Sequence, residues 1–273
     1  MKISKVVFFA ASALSYAAAF AGTQDIKASN NQFSVEAIST NVNYTEYGDV
    51  SRGSAAGPLD SEKGSVPGFG LSLSLMKDWL LGNDYLQIQY SRANGHTNYT
   101  GSYQSGGGYG SLLSTSGATL SDFSIRAGKG FSPSSSVMLT PYGEYGYHQW
   151  NRAVNQGETY SNNYVGIGAL VQYSPVNHLV LSTNALLAQT FGSHIDVSGS
   201  QAYSGALGNS SLYKIGLAAD YAFTQKLHGN VGVDYTSFKY GESAIWKAGS
   251  KYYYEPSDTT KYTTVHIGIG YAF

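Results

Sequence analysis

The run Thr263-Thr264-Val265-His266-Ile267-Gly268-Ile269-Gly270-Tyr271-Ala272-Phe273 sorts its residues by parity. Odd positions carry Thr, Val, Ile, Ile, Tyr and Phe; even positions carry Thr, His, Gly, Gly and Ala. Alternate side chains of a strand point to opposite faces, so this spacing predicts a strand with one bulky apolar face and one small or polar face. The division recurs upstream. Residues 212–223 set Tyr213, Ile215, Leu217, Ala219, Tyr221 and Phe223 against Lys214, Gly216, Ala218 and Asp220. Residues 227–235, 165–173 and 69–79 divide in the same way.

Ten such segments can be marked, at roughly 33–46, 66–79, 84–95, 118–131, 136–151, 160–174, 178–192, 210–223, 226–240 and 260–273. An eight-stranded count would require discarding a hairpin, and twelve would require adding one. The connections alternate in length. Those at 80–83, 132–135, 175–177 and 224–225 are tight, while those after the first, third, seventh and ninth segments are long and rich in Gly, Ser and Tyr. The connection at 152–158 is shorter than the other long ones. In the first segment Phe33, Val35 and Ala37 share a face with Ser39, Asn41 and Asn43, so a bulge is expected to shift the register there. In the third, Leu86, Ile88 and Tyr90 run outward and would put Arg92 near a rim.

Composition narrows the class. Of 273 residues only 12% are charged, about half the usual share of a soluble domain, with 33 Gly, 24 Tyr and no Cys. The absence of Cys excludes a disulfide scaffold and thiol-ligated metal. No apolar run of about 20 residues follows the N-terminal region, which excludes a bundle of membrane helices. A net charge of -1 is too mild to imply a nucleic-acid partner. Residues 1–21 read as an export signal: Lys2 and Lys5, an apolar stretch over 6–20, and the small-x-small site Ala19-Phe20-Ala21.

A terminal strand ending on Phe273 with Tyr271 two residues before it, opposite an export signal, resembles the C-terminal signal of bacterial outer-membrane β-barrel proteins. The resemblance covers nearly all of 33–273 and extends to the opacity-type and small porin-like surface proteins. It implies an all-β, closed antiparallel transmembrane barrel, with short periplasmic turns and long extracellular loops. The chain would divide into a cleaved signal peptide (1–21), a short periplasmic segment (22–32) and the barrel (33–273). Tyr271 and Phe273 would then be read by the barrel-assembly machinery. Outer-membrane lipid and lipopolysaccharide would surround the barrel, and the location would be the cell outer membrane.

The two faces of such a barrel have different tasks. The outer face must be apolar, with aromatic residues where lipid meets water. Tyr173, Tyr221, Phe223, Tyr271 and Phe273 fall near the expected periplasmic ends, and Tyr147 and Phe191 near the outer ends. Parity places Glu36, Asp122, Arg126, Glu144, His148, Lys214, Asp220, Asp234 and His266 inside as a luminal charge network. Lys214 is expected diagonal to Asp234, and Arg126 beside Glu144. Ten strands leave at best a small channel, since about eight are just filled by side chains.

Three functions are therefore expected, in order. The first is a non-enzymatic surface barrel serving envelope integrity or contact with a host or surface ligand. Its contact surface would be loop residues Tyr99, Tyr103, Tyr109, Trp246, Tyr252, Tyr253 and Tyr254, because Tyr among Ser and Gly suits adaptable binding. The second is a narrow porin for small polar solutes. The third is a barrel hydrolase. The omptin proteases carry an acid pair on one rim and Asp-x-His opposite. Here the counterparts are Asp60-Ser61-Glu62, in the first loop, and the reversed His194-Ile195-Asp196. A lipid A-modifying enzyme would need a serine beside a base such as His148 with Glu144 as its orienter. Scattered histidines supply no metal site, and no cofactor is expected.

Overall fold

The computed structural model describes residues 22–103, 106–154, 157–199 and 202–273. The export signal expected at 1–21 lies outside the described residues. The chain forms β1 (Gln32–Gly48), β2 (Gly57–Lys77), β3 (Asp84–Gly101), β4 (Leu112–Lys129) and β5 (Val137–Arg152). It continues through β6 (Glu158–Val176), β7 (Leu179–Val197), β8 (Ser211–Ala222), β9 (Leu227–Phe238) and β10 (Ser257–Ala272). Each strand pairs antiparallel with its sequence neighbours, and β10 returns to β1 in unbroken register from Gln32↔Ala272 to Tyr47↔Ser257. The sheet is thus a closed ten-stranded barrel with no free edge. Short strands extend it: Tyr203–Ala206 pairs with β7, and Trp246–Ala248 with Lys251–Tyr253 forms a separate hairpin before β10.

Among the described residues no helix is long and apolar enough to cross a membrane. The outer wall instead carries an apolar belt. On β10 Val265, Ile267, Ile269, Tyr271 and Phe273 all face outward and exposed, as do Tyr213, Ile215, Leu217 and Tyr221 on β8. At ~3.4 Å per residue and a tilt of about 40°, that stretch of β10 gives a belt about 20–25 Å high, matching the hydrocarbon of an outer membrane. A closed sheet is also the sheet form that leaves no backbone group unpaired in hydrocarbon.

Beyond the belt, toward the end with long loops, the two faces exchange character. Val42, Tyr44, Val66, Trp150, Tyr160 and Tyr240 are buried inside, whereas Asn41, Asn43, Lys63 and Ser65 are exposed outside. The barrel is inverted where lipid is its solvent, and ordinary where water is.

This exchange explains the departures from the sequence-based expectation. β2 begins at Gly57, β3 runs to Gly101 and β4 begins at Leu112, so much of the two segments expected as loops is paired strand. Asp60, Ser61 and Glu62 lie in β2, not in a loop. Tyr99 lies in β3, opposite Glu62. The first strand has no bulge near Asn41: its register with β2 is continuous from Gln32 to Thr45 and shifts only between Thr45 and Tyr47. Asn41 and Asn43 face out because they stand above the belt.

The segment expected as a short periplasmic lead is α1 (Thr23–Ser29), at the end with tight turns. Ile26 is fully buried. Asn30 Nδ2 donates to Gln172 Oε1 at 2.6 Å, and Asn31 exchanges two bonds of 3.0 Å with the Met76 backbone. Gln32 Nε2 donates to Asp220 Oδ2 at 3.1 Å, and the Asp25 carboxylate accepts from the His178 N–H. Together these bonds fasten α1 to β2, β6 and β8. We expect the purified chain to migrate faster unboiled than boiled in detergent gels, since a closed barrel resists the detergent. Identical migration would contradict closure.

Candidate functional site

The feature that dominates the loop end is Arg152, the last residue of β5, whose side chain is fully buried. Its Nε lies 2.7 Å from Glu62, Nη2 3.2 Å from Asp60, and Nη1 3.0 Å from Glu46 and 3.2 Å from Glu158. Nη1 also donates to the hydroxyls of Tyr44 and Tyr160, and the guanidinium lies over the Tyr44 and Trp150 rings at 4.5 and 5.1 Å. Tyr160 donates in turn to Glu255, and Asp258 accepts from Thr260 and from the Tyr240 N–H. β1, β2, β5, β6 and the segment leading into β10 are thereby joined at one cation.

One guanidinium does not balance these acids. Burial, with Glu46 nearby, pushes the Asp60 and Glu255 carboxyls well above the ordinary carboxylate range. Burial also pushes the Asp258 carboxyl up to about 8. Asp258 therefore keeps its proton at neutral pH.

Below it lies a cavity of about 300 Å³. Leu120, His148, Phe238 and Tyr262 line its upper part, and Ser29, Asn30 and Gln32, at the end of α1, its lower part. Most of the charged residues placed inside by parity border this space, arranged as separate groups. Arg126 Nε is 2.5 Å from Glu144, which also takes Lys214 at 3.2 Å and the Tyr164 hydroxyl at 2.8 Å. His148 Nδ1 lies 2.8 Å from Asp122, with the Tyr262 hydroxyl 3.2 Å from its other nitrogen. His266 lies 3.6 Å from Glu36 and 3.5 Å from Asp234, and His228, absent from the parity set, is 2.6 Å from Asp220.

Two expected pairings are corrected. Lys214 does stand diagonal to Asp234, opposite Thr236 in register, but its ammonium extends to Glu144, and Asp234 pairs with His266. Glu144 does not orient His148; Asp122 does, from the facing position on β4. Glycine makes room for this arrangement: a Cβ on Gly146 would sit 2.2 Å from the Tyr164 ring that reaches Glu144.

The acid pair and the His-Asp pair stand on opposite faces of the wall. Asp60 and Glu62 are buried inside and bound to Arg152, while the half-exposed His194 and the exposed Asp196 lie 3.4 Å apart outside. The bulge at Gly192, with φ of 60°, resets the parity of β7 so that Ser193 and Ile195 turn inward and His194 and Asp196 outward. Among the described residues no group of three or more His, Asp or Glu side chains is arranged to hold a metal ion.

The aromatic loop residues divide. Tyr103, Tyr109 and Tyr252 are exposed. Trp246 stacks on Tyr203 with centroids 3.9 Å apart and packs against Tyr253 at 5.9 Å. Tyr254 instead fastens two loops, through the Ser54 hydroxyl at 2.6 Å and beneath Arg52. Tyr99 is not part of that surface; it is half-buried in β3, where burial and the Asp60 charge raise its hydroxyl pKa. At the other end Tyr271 and Phe273 face outward, and the Phe273 N–H donates to Asn31 O.

No family model and no curated protein matches the chain. Solved structures do. The outer-membrane protease OmpT of Escherichia coli is similar with a TM-score of 0.55 at 10% identity, over 89% of this chain and 97% of that one. The transport unit of the autotransporter AIDA-I of Escherichia coli gives 0.44 at 12% identity, covering 89% and 90%. Neisserial surface protein A gives 0.33 at 12%, covering 88% and 97%. The likeness to OmpT is one of fold: a closed barrel of this size.

Two outcomes follow from the cluster. Arg152→Met should lower stability by about 3–5 kcal/mol, because it strands buried carboxylates; an unchanged guanidinium unfolding midpoint would contradict the account. The folded Asp258 pKa of about 8 lies above its ordinary 3.8. The folded state thus keeps a proton that the unfolded state has lost between those values, so stability falls as pH rises through that window and levels off above it. Unfolding midpoints from pH 5 to 9 should decline, and Asp258→Asn should flatten the profile; a midpoint rising with pH would contradict this.

Proposed function

We propose that the chain is a non-enzymatic outer-membrane surface barrel. It would stand with its tight turns toward the periplasm and its long strands and aromatic loops outside. The observation that carries this reading is the filling of the barrel at both ends. α1 and its asparagines occupy the turn end, and the Arg152 cluster with Tyr44, Trp150, Tyr160 and Tyr240 occupies the loop end. A wall built this way resists deformation and presents a fixed outer rim. Tyr103, Tyr109 and Tyr252, together with the packed pair Trp246 and Tyr253, supply amphipathic rings for contact with a host or another surface.

The belt supports the membrane location, and the outward Tyr271 and Phe273 support recognition of β10 by the barrel-assembly machinery. The separation of the Asp60–Glu62 and His194–Asp196 pairs onto opposite faces of the wall argues against an omptin-like hydrolase. No residue of the reading calls for a cofactor.

Planar-bilayer recording separates this from the narrow porin. The native barrel should insert without stepwise conductance. Steady ohmic steps from the native chain would overturn the filled-barrel reading in favour of the porin.

A further inference from the structure

The strands above the belt divide their charges by face. On β10, β1 and β2 the acids Asp258, Glu46, Asp60 and Glu62 are all buried inside. On the outer wall of the same region stand Lys261 on β10, Lys63 on β2 and Arg92 on β3, with Lys239 just past β9, all exposed. Among the described residues none of these four basic side chains forms an ion pair. Basic residues that serve solubility alone are normally interspersed with acids, and here the acids have gone to the other face.

Register fixes the spacing. Lys261 faces Asn43, Asn43 faces Lys63, and Lys63 faces Asn98, a single row across four strands. With ~4.8 Å between strands, the Lys261 and Lys63 backbones lie about 10 Å apart. The row beneath holds Thr263, Asn41 and Ser65, with Asn41 Nδ2 donating to Ser65 Oγ at 3.3 Å. Arg92 is the next outward residue after Tyr90, at the upper edge of the belt, and Lys261 is four residues above Val265, about 10 Å higher along the tilted strand. Lys63 stands six residues above Phe69, about 15 Å higher along the tilted strand, so the three cations rise in steps from the edge of the apolar wall through the depth of lipid headgroups.

We propose that this face of β9, β10, β1, β2 and β3 binds the phosphate-bearing headgroup of an outer-leaflet lipid, with its acyl chains on the belt below. Lys63 and Lys261 take phosphate from either side of β1, Arg92 takes it at the hydrocarbon edge, and Asn41 and Asn43 supply neutral hydrogen bonds between them. The inference rests on the outer-membrane location, but not on the filling of the barrel.

The test is native mass spectrometry of the refolded full chain in neutral detergent. It is titrated with a diphosphorylated disaccharide lipid, with the same lipid dephosphorylated, and with inorganic phosphate. The phosphorylated lipid should be retained on the order of 100-fold better than its dephosphorylated form, as three basic residues beside an anionic headgroup should give. Lys63→Gln with Arg92→Gln and Lys261→Gln should abolish that preference while the protein keeps its heat-dependent migration, and Lys63→Arg with Lys261→Arg should retain it. Equal retention of the two lipids, an undiminished preference in the triple Gln variant, or displacement of the lipid by millimolar inorganic phosphate would overturn the inference. A chain that forms no heat-modifiable barrel overturns the membrane reading along with it.

Discussion

Closure of the sheet by β1 against β10 is the constraint on which the rest depends. Once the barrel is closed, every strand side chain has only two destinations. Outside, over the belt, hydrocarbon admits apolar side chains; inside, a narrow lumen collects what hydrocarbon rejects. Charge is therefore scarce in composition and concentrated in space. The acids meet Arg126, Lys214 and Arg152, or a histidine, because the lumen leaves them nowhere else to go.

The exchange of faces above the belt organises the loop end. There the outside is water, so the interior can be aromatic, and Tyr44, Trp150, Tyr160 and Tyr240 fill it. An interior of rings alone would need no charge. The presence of Arg152 with four carboxylates makes the packing specific, because moving any one strand strands a buried ion. Beside this cluster Asp258 keeps its proton up to about pH 8, which ties the stability of this end to pH.

Much of this was legible in the sequence, and the limit has a physical cause. Apolar alternation finds strands where lipid demands an apolar face, and there it located all ten and the luminal parity of residues such as Arg126 and Glu144. Above the belt the demand lapses. Asn41 and Asn43 broke the expected pattern on β1, and Asp60 and Glu62 read as loop acids, although their spacing of two already placed them on one face. The same spacing links Tyr44 to Glu46, Glu158 to Tyr160, and Asp258 to Thr260 and Tyr262. Alternation of charge and ring inside against Asn, Ser and Lys outside was the missed signal. Partner choice across the lumen, such as Lys214 with Glu144, was not legible, because it depends on barrel diameter and not on register.

The central claim of the proposed reading is that side chains fill the barrel at both ends, and the lack of native cysteine makes it directly measurable. Thr264 borders the cavity on β10, while Ser65 stands exposed on the outer wall of β2. Single cysteines at the two positions can be challenged with a charged, membrane-impermeant thiol reagent on the folded protein in vesicles. The account predicts rapid labelling at 65, and labelling at 264 only after the barrel is unfolded. Comparable rates at the two positions in the folded barrel would contradict it.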